Sequence, residues 1–203
     1  MQSSGSGAAA DGETAWDHKR RRILDGAAAV FSTSGYTKGT TKEIAAHIGL
    51  SQPAIYHYVG SKADLLREIA LQVDHDMVIA LQKGLNRGTD PLTQLRGIIL
   101  EFTLAVVANR LTFAVYRSER RWLEADIAAQ VQQDEDEFVR AVRQVVEAAQ
   151  KTGRLPAAPP AVLTYAILNM VSESNRWYRA EGPMSPEQVA AAYCSLIGLP
   201  AED

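Results

Sequence analysis

Thr40-Thr41-Lys42-Glu43-Ile44-Ala45-Ala46-His47-Ile48-Gly49-Leu50-Ser51-Gln52-Pro53-Ala54-Ile55-Tyr56-His57-Tyr58-Val59 is the stretch that decides the fold of this 203-residue chain. Thr40 followed three residues later by Glu43 is a capping box, in which hydroxyl and carboxylate satisfy each other's backbone N–H groups. It opens a short helix through Ile44 and Ile48, and Gly49 supplies the left-handed end. Ser51 then caps a second short helix, with Pro53 in its first turn where a missing N–H is harmless. Two short helices joined by Gly49-Leu50-Ser51 form a helix-turn-helix, whose second helix lies in a DNA major groove. Ile55 and Val59, four apart, face inward; Gln52, Tyr56 and His57 face out. Rings in a row suit a groove wall better than a solvated surface: hydroxyls and imidazole reach phosphates, and the rings pack on sugars or the thymine methyl. The alternative is an ordinary helical hairpin with its aromatics on the core, which gives the turn chemistry no reason.

Charge supports the first reading. The chain carries a formal −3, which by itself argues against nucleic acid. Residues 17–62, however, hold seven cations (Lys19, Arg20, Arg21, Arg22, Lys38, Lys42, Lys62) against Asp17, Asp25 and Glu43. A basic head on an acidic body fits anion binding at one end. Lys19 to Arg22 read as the first turn of a first helix, where each cation is unfavourable by up to ~1 kcal/mol. A phosphate partner would offset that cost, with Asp17 as the cap; a solvated charge run is the plainer alternative.

Working outward, apolar spacing is helical nearly everywhere. Ile23, Leu24, Ala27, Ala28 and Phe31 line the first helix, which Gly35 ends. Ser61 with Asp64 opens a long helix carrying Leu65, Leu66, Ile69, Val73, Met77 and Leu81 to about Gly84. Asp90-Pro91 opens the next, and helices follow over residues 112–121, 125–152, 162–179 and, from Ser185-Pro186, to Ile197. The reading is all-α, with about nine helices: a disordered extension (1–14), a helix-turn-helix DNA-binding domain (15–62) and a larger ligand-binding and dimerisation domain (63–203). The boundary falls inside the long fourth helix, so the halves share a rigid element.

Composition excludes several classes. Apolar residues at 46% and charged at 22% are ordinary for a globular chain. No apolar run approaches the ~18 residues of a membrane span, and residues 1–12 lack a signal peptide's pattern. The single cysteine, Cys194, rules out an intramolecular disulfide and a multi-cysteine metal site. No phosphate loop, His-Glu metal spacing or nucleophile elbow is present. The expectation is a cytoplasmic protein that is no enzyme, needs no cofactor or metal, and touches no membrane. His75-Asp76 reads as an exposed pair, and Asp134-Glu135-Asp136-Glu137 as a solvated face.

With Gly39 before it and Gly60-Ser61-Lys62-Ala63-Asp64-Leu65-Leu66 after it, the opening stretch resembles the DNA-binding domain of the TetR family of transcriptional regulators, over residues 17–66. The resemblance implies that Thr40 and Thr41 meet phosphates and that Lys42 reads guanine. It puts Gln52, Pro53 and Ala54 against bases, while Tyr56, His57, Tyr58 and Lys62 grip the backbone. His57-Tyr58 varies the family's aromatic/His pair, leaving open which of the two touches phosphate.

The resemblance also implies that the last two helices build a four-helix bundle with a second subunit, a homodimer on a palindromic double-stranded operator. The stripes Val162, Leu163, Ala166, Ile167, Met170, Val171 and Val189, Ala192, Tyr193, Leu196, Ile197 agree; completing an intramolecular core is the alternative. Two polar-aromatic clusters are candidates for a small-molecule effector: Tyr116, Arg117, Arg120, Arg121 and Trp122, and Asn169, Glu173, Arg176 and Trp177. In the second, simple pairing of Arg176 with Glu173 is the alternative, and Trp177 at such a spacing is more often plain core than pocket wall. Residues 169–189 resemble TetR-type regulators of fatty-acid and steroid catabolism, which release DNA on binding acyl-coenzyme A, although Ser172 stands where those relatives often carry Trp. A drug, a signalling lipid or no effector at all remain the alternatives.

Overall fold

The computed structural model describes residues 15–199. Ten α-helices and one 3-10 turn make up the described chain, with no strand among these residues: α1 (Ala15–Lys38), α2 (Thr41–Ile48), α3 (Gln52–Val59), α4 (Lys62–Leu85), α5 (Pro91–Ala108), α6 (Arg110–Glu119), the 3-10 turn Arg120–Trp122, α7 (Ala125–Lys151), α8 (Pro160–Ser172), α9 (Ser174–Trp177) and α10 (Pro186–Leu196). The capping chemistry sits where the sequence puts it. Thr40/Glu43 and Ser61/Asp64 form complete capping boxes, and Ser51 Oγ accepts from Ala54 N–H. Gly49 closes α2 at φ 69°, a left-handed conformation that favours glycine. Gly35 breaks the helical path within α1 at φ 74°. The extension 1–14 lies outside the described residues.

Two apolar cores form. The head core gathers Ile23, Ala27 and Phe31 of α1, Ile44 of α2, Ile55 and Val59 of α3, and Leu65, Leu66 and Ile69 of α4; α6 adds Val115. The body core starts at Ala70 and takes in α5, α7, α8 and α10. The cores therefore part between Ile69 and Ala70, two turns into α4. At its far end α4 is pinned backbone to backbone on α5. A Cβ on Gly84 would stand 2.5 Å from Ile98 N, and one on Gly97 2.6 Å from the Gly84 carbonyl. Only glycines permit that approach.

Four expectations change. First, α5 spans 18 residues at mean hydropathy 1.3, enough by length and composition to cross a membrane. It is instead the central strut of the body, packed against α4, α7, α8 and α10. Second, α1 begins at Ala15, so Asp17 lies within the helix and Lys19 to Arg22 fall in its second turn. Third, the 162–179 helix is interrupted at Glu173 and ends at Trp177, with Tyr178 extended. Ser174 Oγ, 2.7 Å from Tyr193 Oη of α10, anchors the interruption from across the fold. Fourth, Asp76 is half-buried, not exposed: it accepts from Asn109 Nδ2 and Gln72 Nε2, both at 2.9 Å.

Candidate nucleic-acid interface and effector domain

The outer surface of the head is built by α2 and α3. Ile55 and Val59 are buried, which turns Gln52, Pro53, Tyr56 and His57 outward; Ala54 and Tyr58 are half-buried, and Thr40 and Lys42 are exposed. All ten expected interface residues except Lys62 thus lie on α2 and α3 or, for Thr40, at the cap that opens α2. Thr40 is occupied as a cap: its hydroxyl accepts from Glu43 N–H. Thr41 is 6% exposed, and its hydroxyl is engaged within the head. It accepts from Gln52 Nε2 at 2.9 Å and shares a hydrogen bond with Tyr56 Oη at 3.1 Å.

Two cations of the α1 basic run, Arg20 and Arg22, hold the head together. Arg20 forms an ion pair with Glu68 of α4, and Arg22 donates to the Ile48 carbonyl at 3.0 Å, satisfying an end of α2. Lys62 donates to the Thr37 carbonyl at 3.2 Å and stands 4.5 Å from the Tyr36 ring centroid. It holds the turn after Gly35 to the start of α4. Lys19 differs: its ammonium lies 5.8 Å from the Tyr58 ring.

Trp16, which the sequence did not single out, lies beside the candidate interface residues of α3. Its ring is 4.3 Å from that of Tyr58 and 5.7 Å from that of His57, and it remains 45% exposed. It stands upstream of every helical period used to read α1, so only the fold reveals its contact with α3.

The two expected effector clusters fall in different environments. Tyr116 is buried on α6, its hydroxyl donating to Glu135 Oε1 of α7 at 2.7 Å. Burial first, and then that bond, push its pKa above the usual phenol range. Arg120 bridges to Glu135 at 3.1 Å and to Gln132 at 3.0 Å. The acidic run is therefore not wholly solvated: Asp134 and Glu135 are half-buried, while Asp136 and Glu137 are exposed. Asp74 of α4 hydrogen-bonds Asp134, and its pKa is raised to about 6, by burial first and then by its two carboxylate neighbours, Asp134 and Glu135. Trp122 is 47% exposed, with Arg121 5.7 Å from its ring.

In the second cluster Asn169 is exposed and donates to the Tyr165 carbonyl at 2.8 Å. Glu173 receives Arg117 at 2.7 Å and Arg176 at 3.4 Å, so one salt-bridge chain joins α6 to the α8–α9 junction. Arg176 and Trp177 are exposed. The face does not oppose α4: α9 packs on α5, α6 and α8, whereas α4 meets α5, α6 and α7 in the body. A groove of about 360 Å³ does border α4; Asp76, Ile79, Lys83, Glu101, Leu104 and Asn109 contribute to its walls, with no residue of α8 or α9. Asn175, also on α9, is buried, and its Oδ1 has no hydrogen-bond partner among the described residues.

The apolar stripes of α8 and α10 each divide. Leu163, Ile167 and Val171, and Val189, Tyr193 and Ile197, enter the body core. Val162 (62% exposed), Tyr165 (50%) and Leu196 (74%) point away from it.

Residues 23–69 match the model of the tetR family of bacterial regulatory proteins, and residues 88–198 match the tetracyclin repressor-like C-terminal domain. The chain is 25% identical over 190 residues to the HTH-type transcriptional repressor KstR2 of Rhodococcus jostii, covering 93% of both. Its fold overlays that of the TetR family regulator PfmR from Thermus thermophilus at TM-score 0.78 and 30% identity, over 90% of this chain and 100% of that one. AibR, solved with isovaleryl coenzyme A and operator DNA, overlays at TM-score 0.76 and 21% identity, over 90% and 100%. These relatives are regulators, not enzymes. A capped helix-turn-helix presenting Gln52, Tyr56 and His57, a helical body behind it and both domain matches place the chain in the TetR family of DNA-binding transcriptional regulators.

Proposed function

We propose that the protein is a cytoplasmic repressor that binds a palindromic operator as a homodimer and is released by a small-molecule effector, an acyl-coenzyme A thioester. The observation carrying this reading is the α3 surface: Ile55 and Val59 are sealed inside, so Gln52, Tyr56 and His57 have no core to serve. One such head covers little DNA, and specific recognition needs two heads about one helical turn apart, ~34–36 Å. The outward apolar residues of α8 and α10 supply the dimer face. Lys42 and Gln52 read bases; Tyr56, His57, Tyr58 and Lys19 work on the backbone.

Support for the effector comes from AibR, from the 169–189 resemblance and from the body's own groups. Arg176 is exposed beside Trp177, a guanidinium and a ring suited to a phosphate and an adenine. The orphaned Asn175 Oδ1 is a group that a bound ligand would satisfy. Transmission runs through α6 and through α4, a rigid rod of roughly 36 Å at ~1.5 Å per residue, pinned at Gly84–Gly97. A tenfold loss of operator affinity needs the effector to favour the DNA-incompetent arrangement by ~1.4 kcal/mol.

The test is to titrate the operator complex with free coenzyme A, free fatty acid and several acyl thioesters. Release is expected with thioesters alone, at raised concentrations for Arg176→Ala and Trp177→Ala. If none releases DNA, the effector reading fails while the DNA-binding assignment stands.

A further inference from the structure

Thr41 occupies the first turn of α2, under the start of the recognition helix, and its side chain is 6% exposed. Its hydroxyl touches two residues of α3, Gln52 at 2.9 Å and Tyr56 at 3.1 Å. The amide Nε2 can only donate, so Thr41 Oγ1 accepts from Gln52. Either oxygen can donate in the Thr41–Tyr56 bond; when Thr41 donates, the phenolic proton is left for an outside acceptor. The chain then runs from amide to threonine to phenol. Each end leaves the atoms a DNA duplex needs. Phosphate accepts only, and Tyr56 retains a donor. Adenine's major-groove edge requires one amide N–H toward N7 and one amide oxygen toward N6. With one Nε2 proton held by Thr41, Gln52 keeps the other proton and its Oε1.

We propose that Thr41 is a positioning residue for operator reading, fixing the Gln52 amide in the orientation that selects adenine and presenting the Tyr56 hydroxyl to phosphate, instead of contacting phosphate itself. The proposal rests on the reading of Gln52 as a base contact. A buried hydroxyl engaged by two side chains is poorly disposed toward a phosphate. It is well placed to remove rotamer freedom from Gln52 before DNA arrives, and preorganisation of one such side chain is worth roughly two- to tenfold in affinity.

The test measures binding by fluorescence anisotropy at fixed salt, on a selected operator and on a scrambled duplex of equal length. The proteins are wild type, Thr41→Val, Thr41→Ser, Gln52→Ala and the Thr41→Val/Gln52→Ala double variant. Valine keeps the shape and removes the hydroxyl; serine restores it. The expected result is a roughly two- to tenfold loss for Thr41→Val, larger on the operator than on the scramble. Thr41→Ser should bind as wild type, and the double variant should lose no more of the operator-over-scramble preference than Gln52→Ala. Should Thr41→Val fail to melt cooperatively, Thr41→Ala replaces it. Equal losses on both duplexes for the threonine variant, with a selective loss for Gln52→Ala, would mark a phosphate contact and overturn the proposal alone. A non-selective Gln52→Ala would overturn the base-reading role and the proposal with it.

Discussion

Val115 and Tyr116 are consecutive residues of α6 that serve opposite halves of the molecule. Val115 is fully buried in the head core among α1 and α4 residues, while Tyr116 turns its hydroxyl into the body, 2.7 Å from Glu135 of α7. The next residue, Arg117, reaches Glu173 at the α8–α9 junction at 2.7 Å. Three successive side chains thus tie head, α7 and α9 to one short helix. Any shift of α6 is felt in all three.

Tyr116→Phe removes the bond to Glu135 and leaves that carboxylate to Arg120. The expected cost is about 1 kcal/mol of stability, the usual weight of one internal hydrogen bond. Operator affinity without effector should be unchanged, and effector potency should shift. Urea unfolding and a release titration check both; an unchanged release curve would remove Tyr116 from the coupling route.

Asp74 gives a pH signature. Its folded-state pKa, about 6, lies above the ordinary carboxyl value of 3.8, so the native state holds a proton that the unfolded chain has released. Stability from this group is fully present below the unfolded value of 3.8 and is lost as pH rises from there through about 6. Asp74→Asn should therefore raise the melting temperature at pH 8 and give a shrinking advantage as pH falls to 5. A pH-independent difference would contradict the shared proton with Asp134.

Trp16→Ala removes a stacking partner 4.3 Å from Tyr58. Aromatic pairs of this kind contribute about 0.5–1.5 kcal/mol. The variant should lose a few-fold in affinity on operator and scrambled DNA alike, because Tyr58 positions the head without reading bases. A selective loss on the operator would give Trp16 a reading role.

Leu196→Glu places a charge at a site 74% exposed in the single chain. A residue facing solvent would accept that change. One at the centre of a four-helix dimer face would not, since a buried unpaired charge costs several kcal/mol. Sedimentation should show a monomer that no longer shifts operator DNA cooperatively.

The head was legible in the sequence because its signals are local. Capping boxes at Thr40 and Ser61, the left-handed Gly49 and the inward pair Ile55/Val59 are each set by residues within four positions of one another. The structural partners of Arg20 and Arg22 were not legible because Glu68 and the Ile48 carbonyl lie 48 and 26 residues away. The same holds for Asp134 and Glu135: only the packing of α4 against α7 and the Tyr116 hydroxyl on Glu135 distinguish them from Asp136 and Glu137. The interruption at Glu173 carries no glycine or proline. Tyr193 stabilises it from 19 residues downstream, so helical periodicity ran straight through it. The apolar stripes of α8 and α10 showed that both helices are buried, but which half faces the core depends on where α5 lies.

The central claim is that α3 reads DNA sequence from a symmetric dimer. Selection of binders from a random-sequence duplex pool, followed by sequencing, tests it most directly. An enriched inverted repeat is expected, with half-sites about one helical turn apart and enrichment lost for Gln52→Ala. A pool that stays random while the protein is retained on DNA would contradict it.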